Sequence, residues 1–337
     1  MSGGASIPYH LRSSKMADRS LFVELLRRLE RWRRLDNHVY ASMGGYPMAD
    51  HHRVHRVLGL RRLLCFDKDE ATVRRQLFNR PTKECACVSM TSRDFVDDPA
   101  AAYRRSGIRD WAGQIVWLDY TSPSEIGSQI DEFVALLSNS QHGDVIRITL
   151  NANEKALKGG KNGLSIAQKT AARFQWFSEQ VAQYLPADAS QSDLTPPGYA
   201  KLLARVLRAA AADALGDGIV VPLSIVRYND SAHQMLAATL LVHAPTDGEL
   251  PFERSMLADW SLLSRSWTEI HPLRVTALTS RERSLLDRLL PAVGAEKLVN
   301  DLPFSPLGED ISRSDTVEHL NRYRDLLRFY PDLLVLE

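Results

Sequence analysis

The sequence predicts an α/β protein: a Rossmann-like, doubly wound sheet with a terminal antiparallel hairpin, plus an N-terminal helix and a helical C-terminal extension. Three observations predict it. Short apolar runs alternate with helix-patterned segments five times between residues 37 and 150, the pattern of a parallel sheet with helices on both faces. Two β-rich runs then arrive back to back, 219–228 and 234–243, joined by Asn229-Asp230-Ser231, which reads as a hairpin. Finally, 337 residues with 44% hydrophobic and 25% charged side chains fit a globular chain with a sizeable core. That composition excludes disorder, collagen and coiled coil.

Taken in order, Phe22, Leu25, Leu26, Leu29 and Trp32 recur at helical spacing, so residues 16–34 read as an amphipathic helix. A short β-like run, 37–43, stops at Gly44-Gly45. A helical stretch over 50–58 leads to a second strand, 62–66, ending at Asp67. A helix near 69–78 leads to a third strand, 85–90. The fourth, 114–118 (QIVWL), is followed by a helix from Pro123 to about Ser138, and the fifth is 145–150 (VIRITL). Helical segments over 164–185 and 197–215 flank a polar loop and precede the hairpin. Beyond it, Pro251 opens one helix, Thr279 and Glu282 make a capping box for a second, and Val317, Leu320, Tyr323, Leu326 and Leu327 stripe a third. The expected divisions are a basic segment and helix (1–35), an α/β domain (36–245) and a helical extension (246–337).

Several functional classes are excluded at this level. The longest apolar stretches fall far short of the roughly 20 residues of a membrane helix, and residues 1–15 lack the apolar core of a signal peptide. A cytoplasmic protein with no membrane contact is expected. Cys65, Cys85 and Cys87 are too few and too oddly spaced for a disulfide framework or a four-ligand zinc site, and are expected to pack in strands. His51, His52 and His55 lack the Glu of a zinc-protease helix, so they read as a solvated helix with no metal. No phosphate-binding Gly-Lys loop, Gly-x-Ser-x-Gly elbow or Cys-x-x-Cys pair occurs.

Net charge hides an asymmetry. Residues 1–85 hold 17 Lys and Arg against 9 Asp and Glu, a surplus of +8 where the whole chain carries +1. A basic N-terminal third attracts phosphates or another anionic partner. The alternative is that Arg27, Arg28, Arg31, Arg33 and Arg34 form the solvated face of one helix.

In doubly wound sheets ligands sit outside the carboxyl ends of the strands, near the point where the winding reverses. At the first strand end, Gly44 and Gly45 stand where backbone approaches a ligand or turns tightly. At the second, Asp67 lies 22 residues beyond the glycines, where a carboxylate can accept from both hydroxyls of a ribose. Asp67 with Glu70 also matches a helix capping box, and the two roles are compatible. At the third, residues 90–95, including Asp94, offer polar groups and a ring where an adenine lies. At the fourth, Asp119-Tyr120 leaves an apolar strand directly onto a carboxylate and an aromatic. Ser122, Pro123 and Glu125 account for the helix start there, so Asp119 has no capping task. On the fifth strand, Arg147, Thr149 and Asn151 share one face by alternation. Arg12 and Lys15 belong to a cationic run just ahead of the first helix.

The strand-end Asp67, the Asp119-Tyr120 pair and the terminal hairpin, over roughly residues 35–245, resemble the class I S-adenosylmethionine methyltransferase superfamily. Residues 118–123 with 145–151 are also loosely similar to the Asp-Pro-Phe-Gly-Ser-Pro segment and following strand of tRNA guanosine dimethyltransferases, with Tyr120 in place of the proline and one residue fewer. The full chain is closer in pattern to bacterial "putative O-methyltransferases", some of which look like components of phage-defence gene clusters. The resemblance implies S-adenosylmethionine as cofactor and methyl transfer to oxygen or nitrogen. It implies that Gly44 and Gly45 admit the cofactor backbone, Asp67 holds its ribose, Asp94 lies by the adenine, and Asp119 with Tyr120 faces the acceptor, Asp119 also binding the cofactor by orienting its sulfonium. In such folds a leading segment can lie across the cofactor mouth, where Arg12 and Lys15 would bind the methionine carboxylate or an acceptor phosphate. The usual acidic-Gly-x-Gly-x-Gly signature is absent from the first strand end. Two other readings therefore stand: an inactive methyltransferase-fold subunit that binds a protein partner through its C-terminal helices, and a nucleic-acid-binding protein using the basic N-terminal third.

Overall fold

A computed structural model of the chain describes residues 12–160, 162–215, 219–230, 233–244, 250–275, 279–290, 292–305, 308 and 311–329. The chain divides into two compact units, Phe22–Pro272 and a smaller one made of Met1–Leu21 with Leu273–Glu337. Helix α1 (Ser13–Leu29) runs through the boundary between them.

The larger unit is built on strands β1 (His38–Ser42), β2 (Leu63–Asp67), β3 (Ala86–Ser89), β4 (Gly113–Asp119), β5 (Val145–Asn151), β6 (Ile219–Asp230) and β7 (His233–His243). An eighth, β8 (His271–Leu273), completes one sheet in the order β3-β2-β1-β4-β5-β7-β6-β8. The first five strands are parallel to one another, and β7 runs antiparallel to β5 and β6. This is the α/β sheet with a terminal hairpin that the sequence predicts. The winding reverses between β1 and β4, which are neighbours although β2 and β3 separate them in sequence.

Strand alternation gives the sheet two unlike faces. Val39, Ala41, Leu64, Phe66, Val116, Leu118, Ile146, Ile148 and Leu150 point to one side and join the main apolar core. On that side lie α4 (Ser92–Asp97), α5 (Pro99–Arg105), α6 (Ile126–Ser138) and α8 (Pro196–Leu215), which bury Phe95, Tyr103, Phe133 and Leu203 in it. Helix α7 (Ile166–Gln180) adds Phe177. The other face is polar and aromatic. It carries Tyr40, Trp117, Arg147, Thr149 and Thr239, matched across the strands by register. There Arg147 lies between the rings of Phe22 and Trp117, 4.9 and 4.7 Å from their centroids, and donates to Thr239 Oγ1. Trp117 Nε1 donates to Thr149 Oγ1 at 2.9 Å. The polar row on the fifth strand is thus taken up by partners within the sheet.

Several elements differ from expectation. Helices α4 and α5 fill a stretch to which the sequence pattern assigns no element, and both have explicit N-terminal signals. Thr91 and Asp94 form a reciprocal capping box for α4, while Asp98 caps α5 ahead of Pro99. The helix expected at Pro251 is instead a run of turns in which Met256 takes a left-handed φ of 55°. Leu257, Trp260, Leu262, Leu263 and Trp267 anchor this run. It is tied to β6 by Ser264 N donating to Leu223 O and Ile225 N to Ser264 Oγ. The expected capping by Ser122 and Glu125 is also replaced. Pro123 opens a single 3₁₀ turn without a side-chain cap, and α6 begins only at Ile126. In the smaller unit, Thr279 and Glu282 do form the expected capping box of α9 (Ser280–Leu289), which α10 (Ala295–Asp301) and α11 (Arg313–Leu326) follow. Among the described residues no helix is long and apolar enough to cross a membrane.

At the foot of β1, His38 faces Gly113 of β4. A Cβ on Gly113 would stand 2.6 Å from His38 Nε2. His38 is buried, and burial followed by the nearby Arg33 charge lowers its pKa to about 4. An imidazole that resists protonation in the fold takes up a proton on unfolding, so stability falls as pH drops from about 6.5 toward 4. Gly113→Ala is expected to destabilise the protein by about 1–3 kcal/mol, the usual penalty of overpacking. Adding His38→Ala should recover part of that loss and flatten the acid-side decline. Urea unfolding of the single and double variants at pH 7 and 5 checks this, and strict additivity would refute the contact.

Candidate functional site

The carboxyl ends of β1, β2 and β4 are fixed relative to one another by register. Ser42 pairs with Cys65 on one side and Trp117 on the other. Asp67 and Asp119, each two residues further along, therefore end their strands at the same height on either side of the chain leaving β1. Alternation points both side chains to the polar face. Neighbouring strands lie about 4.8 Å apart, so the two carboxylates flank the turn that contains Gly44 and Gly45.

That turn is held from below by a buried carboxylate. Asp50, in the first turn of α2 (Ala49–Leu58), accepts from Tyr40 Oη at 2.6 Å and from Ser42 Oγ. Both donors sit on β1, two residues apart and on the same face, so one oxygen of Asp50 staples the helix start to the strand end. An acid in the first turn also suits the helix dipole. The Tyr40 phenol is pushed well above its usual pKa by burial and by the Asp50 charge, so it stays a donor.

His51 is fully buried beside Asp50, with Nδ1 3.4 Å from the carboxylate and Nε2 3.0 Å from Leu64 O. Burial alone would lower its pKa. The adjacent Asp50 carboxylate and the Leu64 carbonyl outweigh burial and hold the ring above its ordinary value. The expectation of a solvated histidine helix is therefore corrected for His51. His52 and His55 likewise bond backbone carbonyls, of Asn79 and Leu60. The described residues contain no group of three or more ligating side chains placed to hold a metal.

Gly44 has a packing task. Its carbonyl accepts from the Gln76 amide of α3 (Glu70–Asn79) and from Cys65 Sγ. A Cβ there would lie 3.0 Å from Cys65 Sγ and 3.2 Å from the His51 ring. Gly45 follows it in the same turn, partly exposed. The three cysteines are free and buried, Cys65 on β2, Cys87 on β3 and Cys85 just ahead of β3.

Asp67 is partly exposed, and its Oδ1 accepts from Asp69 N at 2.8 Å. The cap of α3 is Asp69 rather than Asp67: it accepts from Ala71 N, Thr72 N and Thr72 Oγ1, and these bonds lower its pKa. The second oxygen of Asp67 consequently meets no partner among the described residues. Asp94 also caps. It accepts from Thr91 Oγ1 at 2.6 Å, which lowers its pKa, and it lines a cavity of about 560 Å³ with Ser89, Met90, Asp97, Ala101 and Arg105. That cavity lies at the β3 edge, away from the β1–β4 junction.

Asp119 is partly exposed at the end of β4. Tyr120, next to it, is buried and donates to the Glu132 carboxylate of α6. Burial, then the Glu132 charge, raises its pKa, so the phenol is a poor proton source for chemistry at the rim. Asn151 Nδ2 donates to Thr121 O, tying the β4 and β5 ends together. Arg12 and Lys15 lie in the smaller unit, Arg12 just ahead of α1 and Lys15 buried in its first turn. Sequence reasoning missed Asp50. Its signal was Tyr40 and Ser42, two donors on one face of a strand, followed by an acid at the next helix start.

A family model described as "Putative O-methyltransferase" matches residues 7–337, and the chain belongs to that family. No curated protein matches the chain at a significant level. Among solved structures it is similar to Trm1 from Pyrococcus horikoshii in complex with S-adenosyl-L-methionine. That match has 10% identity and a TM-score of 0.42, and covers 68% of this chain and 56% of that one, so the chain spans little more than half of that relative. It is also similar to the O-methyltransferase from Bacillus cereus in complex with SAH (11% identity, 71% and 86% covered, TM-score 0.31). A third is the O-methyltransferase TomG from Streptomyces achromogenes in complex with SAM (12% identity, 71% and 92% covered, TM-score 0.35). The family match and the strand order carry the assignment, and these distant likenesses add no argument to it.

Removing the carboxylate beneath the turn should be costly, because Tyr40 and Ser42 would be left as buried unpaired donors. Asp50→Ala is expected to lose about 3–5 kcal/mol, and Tyr40→Phe, which deletes one charge-assisted bond, about 1.5–3 kcal/mol. Denaturant titration measures both, and a Tyr40→Phe loss below about 0.5 kcal/mol would show that the bond does not hold the turn.

Proposed function

We propose that this chain is an S-adenosylmethionine-dependent methyltransferase whose cofactor nucleoside sits at the carboxyl ends of β1 and β2, with the acceptor beside β4. The observation that carries the reading is Asp67. It ends β2 next to the point where the winding reverses, and one of its oxygens is left open because Asp69 has taken over the capping of α3. A partly exposed carboxylate with one open oxygen fits a ribose, whose adjacent hydroxyls are paired donors. Family membership and the sheet order support the same reading.

When bound, the cofactor supplies a methyl group already made electrophilic by its sulfonium. The protein's part is then alignment and the handling of one proton. Asp67 would hold the ribose and so fix the distance from the glycine turn to the rest of the cofactor. The Asp50 staple keeps Gly44 and Gly45 in place beneath it. Asp119, partly exposed and on the same face as Asp67, is placed to accept a hydrogen bond from an acceptor hydroxyl or amine and to orient its lone pair. Tyr120 supports this end of β4 from the opposite face through Glu132 and is not asked to transfer a proton.

Isothermal titration with S-adenosylhomocysteine tests the reading. The wild-type chain should bind. Asp67→Ala should weaken binding about tenfold or more, the loss of roughly 1.4 kcal/mol or above expected for hydrogen bonds to a charged group. Its thermal midpoint should stay near wild type. Asp119→Asn should keep the affinity and lower methyl transfer. No binding by the wild-type protein at millimolar ligand would overturn the proposal.

A further inference from the structure

Resting on the methyltransferase reading, we propose that the loop and helix after β5 form a surface for the phosphodiester backbone of a single-stranded nucleic acid, and that the acceptor base or sugar is presented to the β4 end on that strand. The loop starts at the rim of the site, since β5 ends at Asn151, the residue whose amide is bonded to Thr121 just past Asp119-Tyr120. From residue 155 to residue 178 the sequence contains Lys155, Lys158, Lys161, Lys169 and Arg173 and not one Asp or Glu. Lys161 lies outside the described residues.

Among the described residues, Lys155, Lys158, Lys169 and Arg173 form no ion pair. This is unlike the other basic helices of the chain, where Arg28, Arg74, Arg93 and Arg322 each meet a Glu or Asp four residues away. Lys155 and Lys158 are exposed or nearly so at the surface, on the loop itself. Arg173 Nε is buried without a hydrogen-bond partner. Lys169 and Arg173 share one face of α7, four residues apart, and Lys158 lies over Trp176 of the same helix; unneutralised cations gathered in this way are a standing electrostatic demand for an anion.

The surface is also formed rather than loose. Gly159 has a φ of +105°, and a Cβ there would come within 2.7 Å of the Ala172 backbone. A Cβ on Gly160 would come within 2.6 Å of the Arg173 guanidinium. The two glycines thus let the loop lie flush on α7. This sets Lys158 5.6 Å from the ring of Trp176, while Arg173 is braced by the Gly160 backbone. Cations interleaved with an indole on a fixed platform match the way single strands are gripped, by phosphate neutralisation and ring contacts. An acidic protein would use the charges but has no need of the ring.

Fluorescence anisotropy of the full-length chain with a fluorescein-labelled single-stranded RNA oligonucleotide, over a salt series, tests this. Binding should weaken steeply with salt. The double variant Lys158→Gln/Lys169→Gln should bind about tenfold or more weakly, and its salt slope should flatten by about 1.4, at about 0.7 for each phosphate no longer neutralised. Arg27→Gln near the end of α1 combined with Arg31→Gln in the turn after it should leave both unchanged. Absent binding at low salt, unchanged affinity in the Lys158/Lys169 variant, loss in the Arg27/Arg31 variant, or full competition by inorganic phosphate at equal ionic strength would each overturn the inference. S-adenosylhomocysteine calorimetry on the same preparations separates the two claims. Cofactor binding without RNA binding removes the strand and keeps the methyltransferase. RNA binding without cofactor binding leaves the surface and removes the enzyme.

Discussion

The site depends on one buried carboxylate. Asp50 gathers the Tyr40 phenol and the Ser42 hydroxyl onto itself and lies against His51, so the end of β1 and the start of α2 move as one piece. Everything said of the β1–β2 rim assumes that the chain between them, Gly44 to Met48, is held. Met48 enters α2 in the left-handed region at φ 50° with no side-chain cap, so local geometry alone would not hold it. A carboxylate in a low-dielectric setting, satisfied by two hydroxyl donors with a histidine beside it, makes that arrangement costly to break.

The polar face of the sheet follows from the same choice. A doubly wound sheet usually buries apolar side chains on both sides. Here β1 places Val39 and Ala41 toward the main core and Tyr40 and Ser42 toward the other side, and β4 and β5 continue the pattern with Trp117, Arg147 and Thr149. Arg147 is buried between two aromatic rings, where a guanidinium keeps its charge and its flat faces find π surfaces. These side chains answer one another across the strands, so the face is structure rather than site. Among the described residues, what stays open is at the strand ends: one oxygen of Asp67, and the cations beyond β5 that form no ion pair.

The elements that could be read from the chain were those governed by local pattern. Within β4, residues 115–118 (IVWL) are apolar without a break because both faces are covered, and that is visible as composition. The Thr279–Glu282 capping box is a short-range pair of bonds, and it forms as written. Asp67 and Asp119 were legible because a carboxylate directly after an apolar run is set at a strand end by alternation alone. The Pro251 segment was misread because proline begins turns as readily as helices. Its five large apolar residues are buried without a helical stripe, and Ser264 bonds the run to β6. Helices α4 and α5 were overlooked although their caps are written at Thr91, Asp94 and Asp98, because each is too short to show a period.

The sequence by itself determined the class of architecture, the order of the parallel strands and hairpin, and the carboxylates that end β2 and β4, because hydrophobic period and turn chemistry are local. Only the tertiary structure decided which of those polar groups remain available. Asp69 in place of Asp67 caps α3, Glu132 accepts the Tyr120 hydrogen bond, and Asp50 accepts from two hydroxyls on a strand eight and ten residues back in the chain. A side chain's open valence depends on which neighbour reaches it first in space, and that is set by packing between elements rather than by spacing along the chain.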